Sequence, residues 1–142
     1  MPEAGLPLPE VQTHYDVVIV GAGMVGASLS CALTRPASQG QSVPRVLLVE
    51  AASISLDGPA VQPGFDGRST VLSASSRDCL EQLSLWPQIR EAAEPITRIL
   101  VSDQGHFGTV RMTAEEAGVE ALGYVAENAA LGRAFNARLL DN

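Results

Sequence analysis

The residues with the clearest chemical potential are Gly21-Ala22-Gly23-Met24-Val25-Gly26, which directly follow the apolar run Tyr15-Asp16-Val17-Val18-Ile19-Val20. A glycine turn in that position, with an apolar, small-residue stretch after it (Ala27 to Leu33), reads as strand, tight turn, helix. Each glycine has a separate role. Gly21 allows the sharp exit from the strand, Gly23 lets a pyrophosphate approach the backbone, and Gly26 lets the helix pack closely on the strand. The helix opens at Met24 and Val25, which are counted with the glycines as cofactor-contacting positions. Its N-terminus offers unpaired N–H groups and a partial positive charge to phosphates. A second apolar run, Arg45-Val46-Leu47-Leu48-Val49-Glu50, ends in an acid. Glu50 stands near the offset of about 20 residues at which a carboxylate meets the ribose hydroxyls of an adenosine. That carboxylate can accept from both hydroxyls and would repel a 2′-phosphate, which argues against NADP at this first site.

These residues need two parallel strands joined by a helix. The sequence predicts a strand over 15–20, a helix from 24 to 35 stopped by Pro36, a polar loop to Pro44 and a strand over 45–50. The crossover of such a unit is expected to be right-handed. A long loop follows over 51–67, punctuated by Gly58, Pro59, Pro63, Gly64 and Gly67. Leu72, Ser76, Cys79, Leu80 and Leu83 recur at helical steps and predict a helix over 68–85, broken at Trp86-Pro87, with Pro87 opening a short helix over 88–93. Strands over 95–103 and 107–113 around a glycine turn predict an antiparallel hairpin. The segment 121–127 is expected to add a third strand to that sheet. A final helix over 128–140 presents Leu131, Phe135, Leu139 and Leu140.

The fold class expected is therefore α/β: a Rossmann-like, FAD-type β-α-β unit with an added antiparallel hairpin region, in an incomplete doubly wound fold. Residues 1–13 read as a flexible leader and 14–142 as a partial nucleotide-binding domain. Its parts are the β-α-β unit at 14–50, loop and helices at 51–94, the hairpin region at 95–127 and a helix at 128–142. A doubly wound sheet needs more parallel strands than this, so a fragment is expected, with an apolar strand edge prone to self-association.

Apolar residues make up 46% of the 142 residues and charged residues 18%, a composition that folds. A net charge of −7 argues against nucleic acid as a partner. The first residues lack the basic and apolar pattern of a secretory signal, and no run is long enough to span a bilayer, which together suggest a cytoplasmic protein. Cys31 and Cys79 lack C-x-x-C spacing and are expected to be reduced core thiols. His14 and His106 lie far apart in the sequence, so no metal site is expected.

The stretch Asp16-Val-Val-Ile-Val-Gly-Ala-Gly-Met-Val-Gly resembles the start of the flavin-dependent aromatic hydroxylases, the class A monooxygenases. The resemblance strengthens at Phe65-Asp66-Gly67-Arg68-Ser69-Thr70-Val71-Leu72-Ser73. It continues at Val101-Ser102-Asp103-Gln104-Gly105-His106-Phe107-Gly108 and at Leu122-Gly123-Tyr124-Val125-Ala126-Glu127-Asn128. This combination resembles the ubiquinone-biosynthesis branch, over the N-terminal part of such enzymes.

The resemblance implies FAD at the first site, with Gly21, Gly23 and Gly26 on its pyrophosphate and Glu50 on its ribose. It places Arg68 where the family has an arginine approaching the flavin, and Asn128 where it has an amide near the cofactor. Read from the residues alone, Arg68 is a solvated arginine at a helix start and Asn128 a helix N-cap. His106 reads as a surface or packing residue and not as a catalytic one. By the same resemblance the flavin carries the chemistry, NAD(P)H supplies electrons and O2 supplies the oxygen atom placed on a prenylated phenol. A lipid-soluble substrate also implies peripheral contact with the inner face of a membrane or with other ubiquinone-biosynthesis proteins. The family's downstream Gly-Asp motif is not in the sequence, so weak FAD binding and no hydroxylation are expected from these residues alone. Two other readings share the glycine turn and Glu50: an NAD-binding dehydrogenase and a non-catalytic nucleotide-binding module.

Overall fold

The computed structural model describes residues 14–35, 42–54, 62–105 and 107–141. The leader 1–13, Pro36, Gly58, Pro59 and His106 lie outside them.

Strand β1 (Val17–Val20), helix α1 (Met24–Leu33) and strand β2 (Val46–Val49) form the β-α-β unit. The two strands are parallel, with Val17 opposite Val46 and Val20 opposite Val49. Their register is fixed at the open end by Asp16 and Arg45. Asp16 N–H donates to the Arg45 carbonyl at 2.9 Å, and Arg45 N–H donates to Asp16 Oδ2 at 2.8 Å. At the other end Gly21 N–H extends the ladder to the Val49 carbonyl at 2.7 Å.

The helix expected over 68–85 is divided. Ser69–Ser73 form strand β3, and helix α2 runs only from Ala74 to Gln82. Leu72 fits a helical period and a strand period equally, and the β-branched pair Thr70-Val71 tips the segment to strand. Burial alternates accordingly, with Leu72 and the half-buried Thr70 facing inward. Ser73 then caps α2 by accepting from Ser76 N–H at 3.1 Å. Pro87 opens the next helix as expected, but that helix, α3 (Trp86–Arg90), includes Trp86 and stops before Ala93, which begins a strand.

The strand expected over 95–103 is also divided, at Thr97, into β4 (Ala93–Ile96) and β5 (Arg98–Ser102). Strand β5 forms the expected antiparallel hairpin with β6 (Thr109–Thr113). Strand β7 (Gly123–Glu127) does not join that hairpin, contrary to expectation. It is the central strand of a separate antiparallel sheet of order β3-β7-β4. Its near-continuous burial suits a strand flanked on both sides. Pro95, which cannot donate to a ladder, sits on edge strand β4 opposite Tyr124.

A short helix, α4 (Ala114–Ala117), was not anticipated. Its signals are in the sequence: Thr113 accepts from Glu116 N–H at 3.2 Å, and Gly118 takes the left-handed conformation (φ 66°) that ends it. The last helix, α5 (Asn128–Leu140), has the expected bounds. Leu131 and Phe135 are buried on it and Leu139 packs on the core, whereas Leu140 is exposed.

The core lies where α1 and α5 meet the β3-β7-β4 sheet, and it includes Ala27, Cys31, Phe65, Leu131 and Phe135. Trp86 meets Tyr124 edge-on with ring centroids 4.8 Å apart. Cys31 is buried, but Cys79 is exposed, so only one of the two thiols is a core residue. Cys79 is adjacent to the buried Leu80 on α2 but turned about 100° away from it, onto the exposed side.

Candidate functional site

The glycine turn joins β1 to α1 and lies against the end of β2. Gly21 has φ +97°, a backbone conformation that favours glycine strongly. A Cβ at Gly26 would overlap the Gly21 carbonyl oxygen and approach Ile19 Cγ2 to 3.3 Å, so helix and strand pack on bare backbone here. A Cβ at Gly23 would meet nothing within 4 Å, which leaves the turn's outer face open. Gly23 is the N-cap of α1, no side chain caps that helix, and its first turn carries no acid. Met24 packs on the core, whereas Val25 is 81% exposed beside the turn.

Glu50 closes the site from β2. Its carboxylate accepts from Ala22 N–H at 2.5 Å through Oε2 and from Ala52 N–H at 2.9 Å through Oε1. The Ala52 and Ala22 amides hold it below its ordinary pKa, so it is ionised at neutral pH. An ionised carboxylate has about four acceptor positions, of which these bonds use two. A pyrophosphate at the turn and a diol at Glu50 are thus both accommodated by the residues present. Ala22 was not foreseen as a participant, since a backbone N–H leaves no mark on the sequence.

Arg68 and Asn128 form a second group. Asn128 N–H donates to the Arg68 carbonyl at 2.8 Å, and Thr70 Oγ1–H donates to Asn128 Oδ1 at 2.6 Å. Asn128 is therefore a buried first residue of α5, not its N-cap, and Glu127 holds the cap position. Arg68 precedes strand β3 and does not start a helix. Its side chain is 73% exposed and pairs with Asp66, Nε to Oδ2, at 2.7 Å. Asp66 is held below its ordinary pKa first by the Arg68 backbone N–H and then by the Arg68 side chain. Asp66 and Thr70, in the segment that carries the family resemblance, join this group through their bonds to Arg68 and Asn128. Helix α1, which begins at the turn, packs with α5, which begins at Asn128.

Among the described residues there is no cluster that could hold a metal ion, and no helix is long and apolar enough to cross a membrane.

No protein-family model matches the chain. It is 32% identical over 128 residues to the ubiquinone hydroxylase UbiL of Rhodospirillum rubrum, covering 87% of this chain and 27% of that protein. It is 33% identical over 120 residues to the mitochondrial ubiquinone biosynthesis monooxygenase COQ6 of Caenorhabditis elegans, covering 82% of this chain and 25% of that one. A shorter match joins it to the squalene epoxidase erg1 of Aspergillus fumigatus, 42% identical over 77 residues, 52% of this chain and 14% of the epoxidase. The chain spans about a quarter of the length of the two ubiquinone-pathway relatives. By sequence it is similar to ubiquinone-biosynthesis hydroxylases and monooxygenases over that part of their length.

Proposed function

We propose that the chain is the FAD-binding part of a flavin-dependent monooxygenase that hydroxylates a prenylated phenol in ubiquinone biosynthesis, with NAD(P)H and O2 as co-substrates. The observation that carries this reading is the closure of the glycine turn by Glu50 through Ala22 N–H, in a chain similar to ubiquinone hydroxylases. Residues 14–142 then act as a partial FAD-binding domain. Gly21, Gly23, Met24, Val25 and Gly26 receive the pyrophosphate, helped by the positive end of α1. Glu50 takes the adenosine ribose. Arg68 offers its permanent charge toward the flavin end, and Asn128 holds the backbone from which Arg68 projects. FAD supplies the redox chemistry when bound, and the chain supplies position and charge.

The turn and Glu50 serve NAD equally well. The hairpin β5–β6 and the separate β3-β7-β4 sheet favour the hydroxylase reading, because a dehydrogenase domain continues strand-helix-strand after its second strand. A titration of the purified chain, followed by flavin fluorescence with NAD as competitor, tests the choice. We expect saturable FAD binding that is lost in Gly23→Val and in Glu50→Ala. Preference for NAD would overturn the flavin assignment. We also expect weak affinity and no hydroxylation of a prenylated phenol by these 142 residues alone; a yellow cofactor retained at one per chain through gel filtration would contradict that.

A further inference from the structure

Ser30 aside, every buried polar residue among those described lies on one seam, between the segment 62–70 and helix α5. At its far end Gln62 and Asn136, 3% and 1% exposed, face one another as a reciprocal amide pair. Gln62 Nε2–H donates to Asn136 Oδ1 at 3.5 Å, and Asn136 Nδ2–H donates to Gln62 Oε1 at 3.4 Å. One turn of α5 earlier, Phe65 lies so close over Gly132 that any Cβ there would overlap its ring, and it stacks on Phe135 with centroids 6.4 Å apart. Next, the Asp66 carbonyl accepts from Ala129 N–H at 2.9 Å and the Arg68 carbonyl from Asn128 N–H at 2.8 Å. Thr70 closes the seam on the Asn128 side chain. Asn136, Gly132 and Asn128–Ala129 recur at helical spacing, so all of them present one face of α5 to the segment.

We propose that the Gln62–Asn136 pair is a positioning device: it sets the register of segment 62–70 along α5 and thereby fixes where Arg68 stands relative to the cofactor. This rests on the FAD reading above. The apolar contacts in the middle of the seam depend on shape alone. A reciprocal amide pair in a low-dielectric interior is satisfied in one register only, because a slip leaves two buried amides without partners. The coupling onward is local. Phe65 N–H donates to the Gln62 carbonyl at 2.9 Å, and Asp66 Oδ1 accepts from Arg68 N–H at 3.0 Å. The Arg68 guanidinium thus takes its place from a chain of bonds that starts at residue 62. Neither Gln62 nor Asn136 touches the cofactor in this scheme.

The test is the double variant Gln62→Leu/Asn136→Leu, which removes both amides together and so leaves neither unpaired. A merely structural pair predicts a change in melting temperature alone. The positioning role predicts near-wild-type melting, exchange of the Asn128 and Ala129 amide hydrogens about tenfold faster than in the parent chain, and FAD affinity weakened about threefold or more. Unchanged exchange at Asn128 and Ala129 would overturn the proposal, as would unchanged FAD affinity. If the apolar pair fails to fold, the exchanged pair Gln62→Asn/Asn136→Gln is read in its place, since it keeps both amides and their summed length. Wild-type exchange and affinity are then expected, and loss of either overturns the proposal. The exchange arm needs no cofactor. A parent chain that ignores FAD while the apolar variant exchanges faster therefore refutes the FAD reading and the link to Arg68, and leaves the register claim standing.

Discussion

Replacing Gly26 by alanine should destabilise the protein by forcing α1 off β1. The added Cβ would fall on the Gly21 carbonyl oxygen and 3.3 Å from Ile19 Cγ2. The first obstacle is backbone, so no rotamer change relieves it, and α1 must move away from β1. Overpacking of this kind costs about 1–3 kcal/mol. Alanine in a helix recovers about 1 kcal/mol relative to glycine. Because the overlap is with fixed backbone the upper part of the range applies, and the net loss is about 2 kcal/mol. For a chain of this size that is a fall in Tm of about 6–8 °C. Gly23→Ala is the control. Its Cβ meets nothing within 4 Å, and its φ of −67° is open to any residue. It should melt within about 2 °C of the parent while losing FAD affinity, because the methyl group stands where the pyrophosphate approaches. Urea denaturation followed by Trp86 fluorescence and far-UV circular dichroism reads both. Equal stability of Gly26→Ala and the parent, or equal losses in the two variants, would refute the separation of packing from binding roles.

Glu50 is held below its ordinary pKa of 4.5 by the Ala52 and Ala22 amides. A depressed carboxylate contributes stability that is present above its unfolded value and lost as pH falls through its folded value. The urea midpoint of the parent should therefore fall below pH 4.5 more steeply than that of Glu50→Gln; parallel profiles would contradict the two amide bonds. Gly132→Ala places a methyl group in the Phe65 ring and should cost about 1–3 kcal/mol in chemical denaturation, with wild-type stability arguing against the seam. Thr113→Ala removes the cap of α4 and should cost about 1 kcal/mol, checked by the same method.

The β-α-β unit was readable because its apolar runs, glycine turn and terminal acid are local signals that tertiary structure had no reason to override. Helix α5 was readable for the same reason, down to its bounds. Errors arose where local patterns are degenerate. Leu72 suits a helix and a strand, and only pairing with β7 makes Ser69–Ser73 a strand. The partner of β7 was unreadable because strand choice depends on long-range pairing, and the break at Thr97 is marked by no glycine or proline between Ile96 and Ile99. Helix α4 has its signals in Thr113, Glu116 and Gly118, but at four residues it is too short to show a helical period beside the hairpin. In the site, Gly21, Gly26 and Glu50 carry their geometry in their residue types. Arg68 and Asn128 do not: their association depends on the Asn128 N–H to Arg68 carbonyl bond, which involves no side chain.

The central claim is that the turn at 21–26 and the end of β2 bind FAD. The most direct measurement is a titration of the isotope-labelled chain with FAD, followed residue by residue through backbone amide chemical shifts, which detects weak binding as well as tight. Saturable shifts are expected at Ala22, Gly23, Met24, Val25 and Ala52, with smaller ones near Arg68 and Asn128, and none along the β5–β6 hairpin. Shifts confined to the hairpin, or larger shifts with NAD than with FAD at the turn, would contradict that claim.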